Sequence, residues 1–350
     1  MSPIRASTGA RHFHRRCRRG YRERVDTNPA LEATLRTRLG PRHPRFAAAA
    51  IAGGETSAAL SGVTPDSDFE IGSISKGITG LLSADACGRG ELTPATLLGH
   101  LLPLGNCAAA GVSLGSLSRH ASGLPRLAPA APGSASPARR TASFLLHGEN
   151  PYGESLAELL AQARSVRLHR PRPRYSNLGF ELLGHAIAAG AGMSYRELVA
   201  ARVCGPLALD SLYMPATLGE LGPDALIGNS RRGRPRKPWT GEALAPAGGI
   251  RASIQDLARL AGALLDGSAP GRSALDPVAA FAGPAMRIGA AWLTLEANGR
   301  RITWHNGGTG GFSSWIGLDR EAKAGVVLLS ATAASVDRQG FALLRELAAR

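Results

Sequence analysis

The chain has 350 residues, 44% of them apolar and 19% charged, which is enough to fill one large core or two smaller ones and excludes a disordered or fibrous polymer. Its formal charge of +15 comes almost wholly from arginine, since Lys76, Lys237 and Lys323 are the only lysines. Arginine is spread through a chain that is also rich in Ala, Gly and Pro. The two basic clusters, Arg11 to Arg24 and Arg231 to Lys237, lack interleaved aromatics or a helix-turn-helix, so no nucleic-acid partner is expected.

Cys17, Cys87, Cys107 and Cys204 lie far apart with no Cys-x-x-Cys, so they read as free buried thiols and signal neither a metal site nor a disulfide framework. Residues 1–28 are basic, without the apolar core of a signal peptide, and read as a disordered tail. No run approaches the roughly 18 apolar residues that span a bilayer, so no integral membrane segment is expected. As written, the chain reads as cytoplasmic.

After the tail, Leu31, Leu35 and Leu39 recur every four residues and predict a helix over Pro29 to Leu39. Phe46 to Ile51 and Glu55 to Ser61 flank Gly53-Gly54, an antiparallel hairpin signal despite the many alanines. Ile74, Ile78, Leu81, Leu82 and Ala86 mark a helix that begins at or beside Ser73, with Gly88 as its stop. From about Gly90 to Arg236, loops such as Pro129 to Pro137 alternate with helical stretches, Leu156 to Ala163 and Gly179 to Ala189, and strand-like runs are scarce.

Residues Ala247 to Leu265 read as a turn and a helix. Ala291 to Leu295 and Ile302 to Trp304 then flank Asn298-Gly299 as a second hairpin, followed by strands Ser313 to Leu318 and Gly325 to Ser330 and a closing helix Phe341 to Leu347. Strands at both ends and helices between imply a split α/β domain, residues 29–100 with 241–350, in which helices flank one antiparallel sheet. Residues 101–240 form a mostly helical inserted domain.

Three short patterns carry chemistry. Ser73-Ile74-Ser75-Lys76 puts a hydroxyl and an amine one turn apart on one helix face, a potential nucleophile beside a potential base. The helix N-terminus adds N–H groups and a partial positive charge suited to an oxyanion. Alone, the pattern more often describes a helix cap and a lysine reaching for solvent. Tyr175-Ser176-Asn177 sits at a helix entry, where the phenol can shuttle a proton and the asparagine amide can hold Lys76 and a substrate carbonyl. It also fits a buried tyrosine followed by a cap. His305-Asn306-Gly307-Gly308 ends a strand and opens a glycine-rich bend reaching Gly311, where a substrate can lie against the strand edge and the Gly308 N–H can face an oxyanion. His120, His147, His169 and His185 read as structural or surface residues.

The three patterns occur in order and in the right settings. With them, the chain resembles the class C β-lactamase, esterase and D-aminopeptidase branch of the penicillin-binding-protein superfamily over about residues 30–350. The resemblance rests on Phe69 to Lys76, on Tyr175-Ser176-Asn177-Leu178-Gly179 and on His305 to Phe312, where histidine stands in place of the lysine of many lactamases. His120 to Pro125 and Pro246 to Ile250 support it.

It implies a β-lactamase/transpeptidase-like fold and no cofactor or metal. Ser73 is then acylated, Lys76 and Tyr175 exchange protons, Asn177 orients, His305 lines the site, and the N–H groups of Ser73 and Gly308, beside Gly307, bind the oxyanion. It implies a small-molecule ester, peptide or β-lactam substrate, with esterase or peptidase-like activity favoured because His305 brings no permanent cation. A catalytically silent sensor of the same fold is the alternative. Relatives are often exported. Gly77, inside the helix after Lys76, stands out as a cost of about 1 kcal/mol relative to alanine.

Overall fold

The structure, a computed structural model, describes residues 25–129, 143, 148, 150, 155–297 and 299–349. Cys17, the cluster Arg11 to Arg24, most of Pro129 to Pro137, His147 and Asn298 lie outside the described residues.

A nine-stranded sheet organises the chain. Its strands are β1 (Asp26–Thr27), β2 (Phe46–Ala52), β3 (Glu55–Ser61), β6 (Ala279–Ala280), β7 (Met286–Ile288), β8 (Leu293–Ala297), β9 (Arg300–Gly308), β10 (Ser313–Asp319) and β11 (Ala324–Ser330). Their order is β1-β3-β2-β11-β10-β9-β8-β7-β6, antiparallel throughout except for the parallel β1–β3 pair. The two halves of the chain meet where β2 pairs β11, with Ala48 opposite Leu328. A separate two-stranded ribbon joins β4 (Asp68–Glu70) to β5 (Arg251–Ser253). Between these last two strands the described residues hold helices and loops and no named strand.

Alanine is a poor strand former, yet Phe46 to Ile51 are all buried, because helices cover both sheet faces and packing overrides propensity. The period of two sends Ala47, Ala49 and Ile51 into the larger core and Phe46 and Ala48 into a smaller one. Helices α2 (Ile74–Gly88), α3 (Leu156–Arg164), α4 (Asn177–Gly190) and α5 (Ile254–Asp266) supply the larger core. The smaller one is closed by α1 (Pro29–Leu39) and α6 (Asp337–Leu347) through Leu35, Leu39, Leu343 and Leu344. Trp315 is fully buried in it, and a Cβ on Gly340 of α6 would lie 2.4 Å from its ring. No helix of the described residues is long and apolar enough to cross a membrane.

Several expectations need correction. Residues 25–28 do not belong to a tail, since Asp26 and Thr27 pair with Ser57 and Ala58 and the Asn28 side chain caps α1. Helix α2 runs through Gly88, and the left-handed glycine beyond it is Gly90, at φ 71°. Residues 245–265 contain a one-turn helix, Ala245–Gly248, and the strand β5 before α5 begins. Strands β6 and β7, too short to show a period, extend the sheet past β8. Cys87, Cys107 and Cys204 are free, as expected, but only half-buried.

The Gly77 cost also has a compensation. Trp292, fully buried, donates its indole N–H to the Gly77 carbonyl at 3.2 Å, and a Cβ on Gly77 would come within 2.9 Å of its ring. The glycine lets the indole lie on the helix backbone.

Arg251 of β5 is buried and ion-paired with Asp68 and, at 3.2 Å, with Glu70 of β4. Burial pushes the Glu70 carboxyl up, against the pull of the guanidinium. Replacing Arg251 by methionine leaves two buried carboxylates without their cation, and a loss of about 3–5 kcal/mol is expected in chemical denaturation at pH 7.

Candidate active site

Three segments converge on Ser73. The first is the turn from β4 into α2. Gly72 has φ 51°, a left-handed conformation that glycine adopts freely, and it delivers Ser73 to the helix N-terminus. A Cβ there would lie 2.6 Å from the Gly308 nitrogen. Across the gap, a Cβ on Gly307 would lie 2.0 Å from the Ile71 carbonyl oxygen and 2.3 Å from Ser314 Oγ. These two glycines let the turn that carries Ser73 and the end of β9 touch backbone to backbone, with Gly72, next to Ser73, against the main chain of Gly308.

Lys76, one turn along α2, is completely buried. Its Nζ donates to Ser73 Oγ at 3.1 Å and to the Ala247 carbonyl at 2.5 Å. Ala247 lies in the one-turn helix 245–248, whose Pro246 ring packs on α4 where a Cβ on Gly184 would come within 2.3 Å of it. Sequence reasoning missed this anchor, because a main-chain carbonyl leaves no residue signature. The only signal was the Pro246 to Ile250 segment, read as supporting.

The second segment carries Tyr175. Its Oη is hydrogen-bonded to Ser73 Oγ at 2.6 Å, and its ring centroid lies 4.9 Å from Lys76 Nζ. The loop placement predicted for it holds, while the cap of α4 is Ser176, whose Oγ accepts from the Gly179 N–H at 2.9 Å. Asn177, the first residue of α4, is buried, and its main-chain N–H donates to the Arg126 carbonyl at 2.9 Å.

His120 stands behind the tyrosine, buried, as a structural residue. Its ring lies 4.5 Å from the Tyr175 ring, and its Nδ1 accepts the Ser176 N–H at 3.1 Å. Burial holds it well below the usual histidine range, so the neutral ring keeps that acceptor at pH 7.

The third segment is β9. His305 to Gly308 do not open a bend: the strand continues through them, paired residue for residue with Ser313 to Ile316 of β10, and the bend begins at Thr309. Strand β8 stops pairing at Trp304, so among the described residues no strand pairs with His305 to Gly308 on that side. His305 is buried, and its Nδ1 lies 2.7 Å from the Asn306 carbonyl.

Burial pushes the His305 imidazole down to about 4 against the opposing pull of the Asn306 carbonyl, and the Lys76 charge adds a smaller downward push. The unfolded chain binds a proton at His305 near pH 6.5, and the folded chain only near pH 4. Stability from this group is therefore full above pH 6.5 and lost as the pH falls toward 4. A His305→Gln variant is expected to lose about 3 kcal/mol less than the parent between pH 7 and pH 4, read from urea unfolding at both pH values. Among the described residues, no group of His, Cys, Asp and Glu side chains comes together as a metal site.

A hydroxyl hydrogen-bonded to an amine and a phenol, at a helix N-terminus beside a strand edge, is equipped to be deprotonated and to attack a carbonyl. The sheet, its flanking helices and the helical middle of the chain form a β-lactamase/transpeptidase-like fold.

The chain belongs to the β-lactamase family of serine hydrolases: a family model described as Beta-lactamase matches residues 31–350. Among solved structures it is similar to a class C β-lactamase, with 18% identity and TM-score 0.74, covering 91% of this chain and 94% of the other. It is also similar to the class C β-lactamase of Rhodobacter sphaeroides, with 22% identity and TM-score 0.71 over 92% and 97%. A β-lactamase/D-alanine carboxypeptidase from Pseudomonas syringae gives 17% identity and TM-score 0.74 over 91% and 97%.

Proposed function

We propose that the protein hydrolyses an ester or amide bond through an acyl-enzyme on Ser73, and that esters or peptide-like substrates are preferred to β-lactams. The observation that supports this most is the double hydrogen bond at Ser73 Oγ, from Lys76 at 3.1 Å and Tyr175 at 2.6 Å. In this reading Oγ attacks the substrate carbonyl as its proton passes to the Lys76–Tyr175 pair. The carbonyl oxygen becomes an oxyanion facing the N–H groups of Ser73 and Gly308. The C–O or C–N bond then breaks, and the departing oxygen or nitrogen takes the proton back from the pair. Water repeats the sequence on the acyl-serine, giving the acid and restoring Oγ–H. Asn177 and His305 border this chemistry as orienting groups.

The preference for esters follows from His305. A neutral imidazole at the β9 edge supplies no fixed charge for the carboxylate of a penicillin or a D-Ala terminus. The test is hydrolysis of p-nitrophenyl butyrate and a chromogenic cephalosporin by the protein and its Ser73→Ala variant. Ser73-dependent release with the ester turned over faster supports the reading, and rapid cephalosporin turnover with slow ester turnover reverses the ranking. A single stoichiometric burst without turnover would identify a silent sensor.

A further inference from the structure

Resting on that reading of the site, we infer that Arg126 is a specificity-determining residue that binds an anionic group, a carboxylate or a phosphonate-like oxyacid, carried by the substrate over Tyr175. The Arg126 guanidinium carbon lies 5.4 Å from the Tyr175 ring centroid, so a cation stands beside the phenol that is hydrogen-bonded to Ser73. The residue is exposed, whereas its backbone is fixed: its carbonyl accepts the N–H groups of Asn177 and Leu178 at 2.9 and 3.4 Å, at the start of α4. The charge is therefore presented from a rigid base into open solvent.

The neighbouring segment adds to it. The His169 N–H donates to the Gly123 carbonyl at 2.8 Å, and the Arg174 N–H donates to the His120 carbonyl at 2.8 Å. These two bonds clamp residues 169–174 alongside residues 120–126. A Cβ on Gly123, at φ 79°, would lie 2.3 Å from the His169 carbonyl oxygen, so the glycine makes the close approach possible. Arg170, Arg172 and Arg174 all stand exposed on this segment, and His169, Arg170, Pro171 and Arg172 line a cleft.

Among the described residues no carboxylate lies within 4.0 Å of the guanidinium groups of Arg126, Arg170, Arg172 or Arg174. Four guanidinium groups without a carboxylate partner among the described residues concentrate positive charge on the segments leading to Tyr175. A planar fork of donors matches an oxyacid anion in a way that the neutral His305 at the β9 edge does not.

The test compares p-nitrophenyl butyrate with the half-ester mono-p-nitrophenyl glutarate and with p-nitrophenyl 4-phosphonobutyrate, on the full chain and on Arg126→Gln. The result read is the ratio of kcat/KM for each charged ester to that for the neutral one. The inference predicts a ratio of about 10 or more at low salt, falling at 0.5 M NaCl and falling about tenfold in Arg126→Gln. The larger of the two charged ratios identifies carboxylate or phosphonate. A ratio near or below one, or a preference that survives the substitution, overturns it. If no ester is turned over, the ester preference fails by itself. Calorimetric binding of glutarate and glutaramide then decides the present inference: tighter glutarate binding that is lost in Arg126→Gln supports it, and equal binding by the two proteins overturns it.

Discussion

Replacing Lys76 by methionine is expected to lower kcat/KM for a p-nitrophenyl ester by about 10^4-fold while leaving the fold intact. Methionine keeps the length and burial of the side chain but removes the nitrogen that donates to Ser73 Oγ and the Ala247 carbonyl. Ser73 then retains one partner, the Tyr175 phenol at 2.6 Å. Tyr175→Phe removes the other. If the amine and phenol pass one proton between them, the double variant is scarcely slower than either single one, because groups that act as a unit lose their effect together. Independent roles would make the two losses multiply. Steady-state kinetics on the three variants, with thermal melts to confirm folding, separates these outcomes.

The second large effect is expected at Gly307. Alanine there would put a methyl group 2.0 Å from the Ile71 carbonyl oxygen and 2.3 Å from Ser314 Oγ, and the Ile71 oxygen is backbone that cannot swing aside. Relief requires β9 to move away from the turn carrying Ser73, which separates the two N–H groups assigned to the oxyanion. A fall in kcat of about 10^2- to 10^3-fold is expected, with overpacking costing about 1–3 kcal/mol of stability. Gly262→Ala is the matched control. It lies inside α5 with nothing within 4 Å of its added Cβ, so a gain of up to about 1 kcal/mol and unchanged kinetics are expected.

The parts of this fold with a strong period were legible in the sequence. Helix α1 spans the predicted Pro29 to Leu39, and the hairpin strands around Gly53-Gly54 agree to within a residue. Strands β6 and β7, with two and three residues, fall below any periodic signal, and β1 is held by two pairings to β3 rather than by its own composition. The continuation of β9 through His305 to Gly308 was hidden for another reason. Glycines ordinarily signal a bend, and here they are used for the close approach of Ile71 to a paired strand.

The candidate site divides the same way. Ser73, Lys76 and Tyr175 carry side-chain chemistry in recognisable patterns, and the structure brings them within hydrogen-bonding distance. The groups that hold them do not advertise themselves. The Ala247 carbonyl belongs to the backbone, and the His120 ring acts through its packing on Tyr175 and its hydrogen bond to Ser176. Trp292 acts on α2 from 215 positions away in the chain, a pairing that no local pattern encodes.

The most direct test of the central claim is the mass of the protein quenched during turnover of p-nitrophenyl butyrate or a cephalosporin, followed by peptide mapping. The account predicts an added acyl mass on the peptide that contains Ser73, absent from the Ser73→Ala variant. An adduct on a different residue, or hydrolysis undiminished in Ser73→Ala, would contradict it.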